Sequence, residues 1–175
     1  PQYTGICEEG KLIGPCPSGA QTTSAANFAQ WYTDVAGVNI PLVTKMALTK
    51  SGTAYYYPEP PPTSVQLLPF DSGGWTAQGS EALYNGQHNF GFTSEVRYWF
   101  EFKGDESLAF AGDDDVWVFI NRQLCIDLGG LHGQLSDSVV LDSAKATALG
   151  LQKGKLYETV LFHAERHTAG SNFNL

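Results

Sequence analysis

The sequence predicts an all-β domain, mainly an antiparallel β-sandwich, with one short N-terminal helix. Three observations carry this. Short apolar, β-prone segments recur through the second half of the chain, each bounded by turn residues. The 19 glycines and 9 prolines in 175 residues leave little room for long helices. Residues 95–103 alternate, with Val96, Tyr98, Phe100 and Phe102 on one side and Glu95, Arg97, Trp99, Glu101 and Lys103 on the other. That is the period of a half-buried strand.

In chain order, residues 1–22 lack periodicity and read as loop. Ser24 can cap a helix over 24–35, in which Phe28, Trp31, Tyr32 and Val35 share one face and Gly37 ends the element. A strand is expected over 42–48. Tyr55-Tyr56-Tyr57 precedes Pro58-Glu59-Pro60-Pro61-Pro62, a stiff connector that cannot sit inside a sheet. Asp71-Ser72-Gly73-Gly74 and Asn85-Gly86 mark turns. Further strands are expected over 107–111, 116–120, 123–128, 138–141 and 157–164, with Asn121-Arg122 as a tight two-residue turn. No repeat or composition break divides the chain, so 1–175 reads as one domain, large enough to bury a core of its own.

Hydrophobic residues make up 42% of the chain, aromatic residues 13% and charged residues 16%. The aromatic content excludes a disordered chain. The net charge of −8 argues against nucleic acid and anionic membrane as partners. No apolar run reaches membrane-spanning length, so direct membrane insertion is not expected. The chain opens on Pro1 rather than Met, as expected of a processed or excised segment. Cys7 and Cys16 lie in a Gly/Pro-rich stretch at a spacing suited to a closed loop, so a Cys7–Cys16 disulfide and an oxidising, extracellular setting are expected. Cys125 reads as a small core residue.

The acids are concentrated. Ten of them against three bases fall between Glu95 and Asp142, which places −7 of the −8 there. Asp113, Asp114 and Asp115 are consecutive and stand between two apolar strands. Adjacent like charges repel unless water or a cation screens them. A hard cation such as Ca²⁺ takes six to eight oxygen ligands, and carboxylates on a rigid sheet edge can supply the charged ones. The spacing is not that of an EF-hand. His163-Ala164-Glu165-Arg166-His167 is not a zinc-protease motif, because its spacing is wrong and it falls on a strand.

Gly112-Asp113-Asp114-Asp115-Val116-Trp117-Val118-Phe119-Ile120-Asn121, followed by Asp127-Leu128-Gly129-Gly130-Leu131-His132-Gly133, resembles the fibro-slime domain of the PA14-like superfamily. Asn27-Phe28-Ala29-Gln30-Trp31-Tyr32, His88–Val96 and Phe162–Phe173 extend the resemblance over most of the chain. It implies a PA14-like β-sandwich of extracellular adhesins and carbohydrate-binding modules. It also implies that Asp113 and Asp114, joined by a cis peptide, hold Ca²⁺ whose shell is completed by vicinal sugar hydroxyls. The partner loop would be residues 167–172, with Asn172 as the side-chain ligand. His132, His167 and Ser171 would flank the bound sugar. Asp115 stands where many relatives carry Gly, and reads either as added charge or as a solvent-facing side chain. The family's usual Asn-Gly turn is Asn121-Arg122 here.

The expected function is therefore a non-enzymatic, calcium-dependent, lectin-like adhesion or recognition module at the cell surface or in the matrix. Its partner would be a glycan or glycoconjugate, and it would form part of a larger surface protein. The alternatives are a structural or protein-recognition domain in which Ca²⁺ only rigidifies, and a glycoside hydrolase. The last is disfavoured because adjacent acids do not give the opposed geometry that glycoside cleavage needs. His132 between glycines reads either as a pocket residue or as a local hydrogen-bonding group. Tyr55–Tyr57 and Trp75 read either as a sugar-stacking platform or as core.

Overall fold

The computed structural model describes residues 24–57, 70–71, 88–89, 91–130, 132–166 and 171–175. The expected Cys7–Cys16 disulfide, Trp75 and His167 lie outside these residues. Helix α1 spans Ala25–Ala29. Strands follow as β1 (Thr49–Ser51), β2 (Ala54–Tyr56), β3 (Phe92–Glu101), β4 (Ser107–Gly112), β5 (Asp115–Ile120), β6 (Gln123–Leu128) and β7 (Leu135–Val140). Helix α2 (Ser143–Leu149) precedes β8 (Leu156–Glu165) and β9 (Phe173–Asn174).

The fold is mainly antiparallel β, as expected. One sheet has the order β3-β8-β5-β6 and the other β7-β4-β9, with β1-β2 a separate hairpin. Apolar side chains from both larger sheets meet in one core: Val116, Val118, Ile120, Ile126 and Leu161 on one side, Phe110, Val139 and Phe173 on the other. The opposite face of the four-stranded sheet is covered at one end. There Phe28 of α1 packs edge-on against Trp117 at 5.9 Å, and Tyr32 against Phe162 at 4.9 Å. Strand β5 is consequently buried on both faces, which explains its continuous apolar run.

Three expectations are corrected. The first helix stops at Ala29, not at residue 35. Asn39 ends it: its Nδ2 donates to the carbonyls of Gln30 at 2.7 Å and Thr33 at 2.6 Å, and its Oδ1 accepts from Val35 N–H. Those groups are then not available to continue the helix. Residues 42–48 form no strand; Leu42, Val43 and Leu48 are exposed and have no neighbouring strand among the described residues, and pairing begins only at Thr49. A second helix, α2, is present besides the N-terminal one. Asp142 caps it by accepting from Lys145 N–H at 2.8 Å, and Gly150, left-handed at φ 69°, closes it.

The β5–β6 turn is type I′ in character, with Asn121 at φ 48° and Arg122 at φ 65°. An arginine in that region costs on the order of 1 kcal/mol relative to glycine. Arg122→Gly should therefore stabilise the domain by about 1 kcal/mol, read as a rise in the urea midpoint at unchanged slope.

Candidate functional site

β4 and β5 belong to different sheets, and Asp113-Asp114 is the corner between them. Asp114 adopts φ 57°, a left-handed conformation that Asp tolerates better than most residues. The corner is built against the chain's end. Gly112 pairs with Phe173 of β9, and a Cβ on it would lie 2.5 Å from the Asn172 carbonyl oxygen and 2.7 Å from the Phe110 ring. Only glycine lets the two segments approach this closely.

The two carboxylates then bind Arg166 and Asn172, the described residues on either side of 167–170. Asp113 donates its N–H to the Asn172 carbonyl at 3.2 Å, and its carboxylate accepts from Asn172 N–H and from Asn172 Nδ2, the latter at 3.1 Å. Asp114 Oδ2 accepts from Arg166 N–H at 2.7 Å, and its own N–H donates to the His132 carbonyl at 3.3 Å. Asp114 is only 1% exposed, and its Oδ1 is buried without a hydrogen-bond partner among the described residues. Such an oxygen is costly unless something else compensates it.

Asp115 neither faces solvent nor points into this corner. It is fully buried; Oδ2 accepts from Arg166 Nε at 2.5 Å and Oδ1 from Gly130 N–H at 2.6 Å. Burial pushes its carboxyl above the usual carboxylate range, and the Arg166 guanidinium opposes this without cancelling it. Arg166 also lies 5.0 Å from the centre of the Trp31 ring. Sequence reasoning missed this pair. Its only signal was that Arg166 directly follows a strand paired with β5, with Ala164 opposite Asp115.

Of the other sequence-predicted site residues, Asn172 is in direct contact with Asp113, and Ser171 beside it is fully buried. His132 reaches the corner through its backbone carbonyl. Its ring is held locally, with Nδ1 2.8 Å from the Gly133 carbonyl and Nε2 3.0 Å from that of Leu128. His163 and Glu165 point together into the core from β8, so the segment is a strand and not a metalloprotease helix. Tyr57 packs on Phe173 at 5.7 Å, whereas Tyr55 is exposed. Cys125 is a free, half-buried thiol, raised in pKa by burial.

Among the described residues no three His, Cys, Asp or Glu side chains cluster at metal-holding distance. A cation here would thus rest on two carboxylates supplemented by amide and carbonyl oxygens. The oxygens at the corner are of that kind: the Asp113 and Asp114 carboxylates and the backbone carbonyls of His132 and Asn172, all hard ligands. The unpartnered Asp114 oxygen is what a cation would satisfy.

The chain is similar to several Dictyostelium discoideum proteins. It is 37% identical to protein psiD over 173 residues, covering 97% of this chain and 31% of psiD. It is 36% identical to protein psiQ over 162 residues, covering 87% of this chain and 15% of psiQ. The chain thus spans less than a third of the length of these curated relatives. A crystal structure of beta-glucosidase from Kluyveromyces marxianus in complex with glucose aligns with 47% of this chain and 10% of that one, at 12% identity and a TM-score of 0.30, too low to carry an argument. Among the described residues no helix is long and apolar enough to cross a membrane. The PA14 domain model matches residues 75–175, which include both sheets and the Asp113-Asp114 corner, and the chain belongs to that family.

Proposed function

We propose that this PA14 domain is a calcium-dependent carbohydrate-binding module of the fibro-slime type, non-catalytic and displayed outside the cell as part of a larger surface or matrix protein. Asp113, Asp114 and Asn172 would hold the ion, whose open coordination positions supply the attraction for neighbouring sugar hydroxyls. Flanking loop residues select the sugar by shape and hydrogen bonding. The observation that carries this reading is the Asp114 Oδ1 atom, a buried carboxylate oxygen without a partner among the described residues, on a left-handed residue at the sheet-to-sheet corner. Outliers of this sort concentrate at working sites.

Chelator-treated protein titrated with Ca²⁺ should take up the ion and gain about 2.7 kcal/mol of stability at a hundredfold excess over Kd. Asp114→Asn should weaken uptake at least about tenfold. Glycan binding on an array should vanish with chelator and return with Ca²⁺. A second reading has its own support, because the aspartates already hydrogen-bond Arg166 and Asn172. If Ca²⁺ binds and stabilises but no glycan is retained, the corner is a structural clamp. If no Ca²⁺ binds, the lectin reading fails.

A further inference from the structure

The far end of β5 presents a second surface that the calcium reading does not use. A groove of about 440 Å³ is lined by Trp99, Asn121, Arg122, Leu156, Tyr157 and Glu158. That volume lies in the range of small-molecule sites. Trp99 is 64% exposed on the outer face of the four-stranded sheet, directly opposite Glu158 on β8. β5 separates this groove from the Asp113-Asp114 corner by six residues, roughly 20 Å.

The groove is rigidly built. The Asn121 N–H donates to the Glu158 carbonyl at 3.0 Å, and Asn121 Nδ2 donates to the Leu149 carbonyl at 2.7 Å. The turn carrying Arg122 is therefore pinned to β8 on one side and to the end of α2 on the other. Glu158 Oε1 accepts from Arg97 Nη1 at 2.9 Å, and Arg97 also bonds Glu95. Arg97 is thus committed to two carboxylates. Arg122 has no ion pair among the described residues and lines the groove together with the exposed indole. It also occupies a positive-φ position that glycine would fill with less strain. A strained residue that stability does not favour points to a use for its side chain.

We propose that this groove is a second saccharide site, independent of metal, for a neutral pyranose. The C–H face of the ring stacks on the electron-rich face of Trp99. Arg122 donates to ring hydroxyls, and Glu158, which has only acceptor oxygens, receives from them. A hydroxyl both donates and accepts, so a sugar satisfies this mixed pair. The apolar surface is limited to the Trp99 and Leu156 side chains between polar neighbours, unlike the broad apolar core of a protein interface.

The test is an NMR titration of the 175-residue chain in chelator with methyl glucopyranoside, methyl mannopyranoside and methyl galactopyranoside. At least one should shift the Trp99 indole N–H and the Arg122 and Glu158 amides saturably in the millimolar range. Trp99→Ala and Arg122→Gly should each weaken that binding at least about tenfold while leaving Ca²⁺ uptake unchanged. Because Arg122→Gly is expected to raise stability, its loss of sugar binding could not be ascribed to damaged folding. The proposal is overturned if no pyranoside produces a shift, or if both variants bind as the parent does. It is also overturned if shifts appear only after Ca²⁺ is restored, or if Trp99→Ala changes the sedimentation of the free protein, which would make the groove a contact between copies.

Discussion

Asp115→Ala should destabilise the domain by about 3–5 kcal/mol, the usual consequence of stripping one partner from a buried ion pair. The carboxylate is fully buried and bridges the Arg166 guanidinium and the Gly130 N–H. Removing it takes the Asp115 carboxylate from a guanidinium whose side chain is 18% exposed, and it leaves the Gly130 N–H without that acceptor. The pair itself is not a large net source of stability. Burial outweighs Arg166 in setting the Asp115 carboxyl, so desolvation already offsets much of the attraction. Asp115→Ala combined with Arg166→Met should therefore recover most of the single-variant loss, since neither charge then remains buried. Urea unfolding of the four proteins in the cycle measures both statements. A loss of under about 1 kcal/mol in Asp115→Ala would show that water reaches Arg166 and that the pair is effectively exposed. The functional consequence is a matter of position. Arg166 also donates its backbone N–H to Asp114, so loss of the pair should loosen one end of the loop that the corner holds.

Why that pair escaped a reading of the sequence, while much of the sheet did not, follows from the range of the forces involved. The alternation of Val96, Tyr98 and Phe100 against Glu95, Arg97 and Trp99 is local and is reproduced by the burial of β3. The Asn121-Arg122 turn was legible from the two strands it joins, even without the usual glycine. The helix was overextended because Phe28, Trp31 and Tyr32 at helical spacing do pack on the sheet, but from a turn that Asn39 closes from outside any short window. α2 was passed over because only Ala146 and Leu149 of it are buried, too few for a visible period. Its capping residues Asp142 and Gly150 were the available signal. Asp115 and Arg166 are 51 positions apart, and no periodicity connects them. The same holds for Asp113 and Asn172, which only a family resemblance brought together in advance.

Acid should weaken this domain because of His163. Its ring is fully buried between Phe92 at 5.8 Å and Phe173 at 5.3 Å, and neither nitrogen has a hydrogen-bond partner among the described residues. Burial lowers its pKa to about 3. The unfolded chain binds a proton on this histidine below about pH 6.5, whereas the native state does not until about pH 3. The unfolded state therefore holds more protons across that window, and stability rises with pH through it. The contribution is fully present above about pH 6.5 and is lost as pH falls, at up to about 1.4 kcal/mol per unit and on the order of 3 kcal/mol by pH 4. Asp115 acts in the opposite sense, since its raised pKa makes the native state hold a proton to higher pH, but that contribution is common to parent and variant. His163→Phe, with a ring of similar shape among phenylalanines, should flatten the slope between pH 6.5 and 4 and leave the domain at least as stable at pH 7, because two unpartnered polar atoms leave the core. Urea unfolding free energies of parent and His163→Phe at successive pH values decide it. Parallel curves would mean that the ring is hydrated or paired in solution. A flattened curve would place the acid sensitivity beside Phe173, next in the chain to Asn172 and paired with Gly112, and so in the scaffold of the corner.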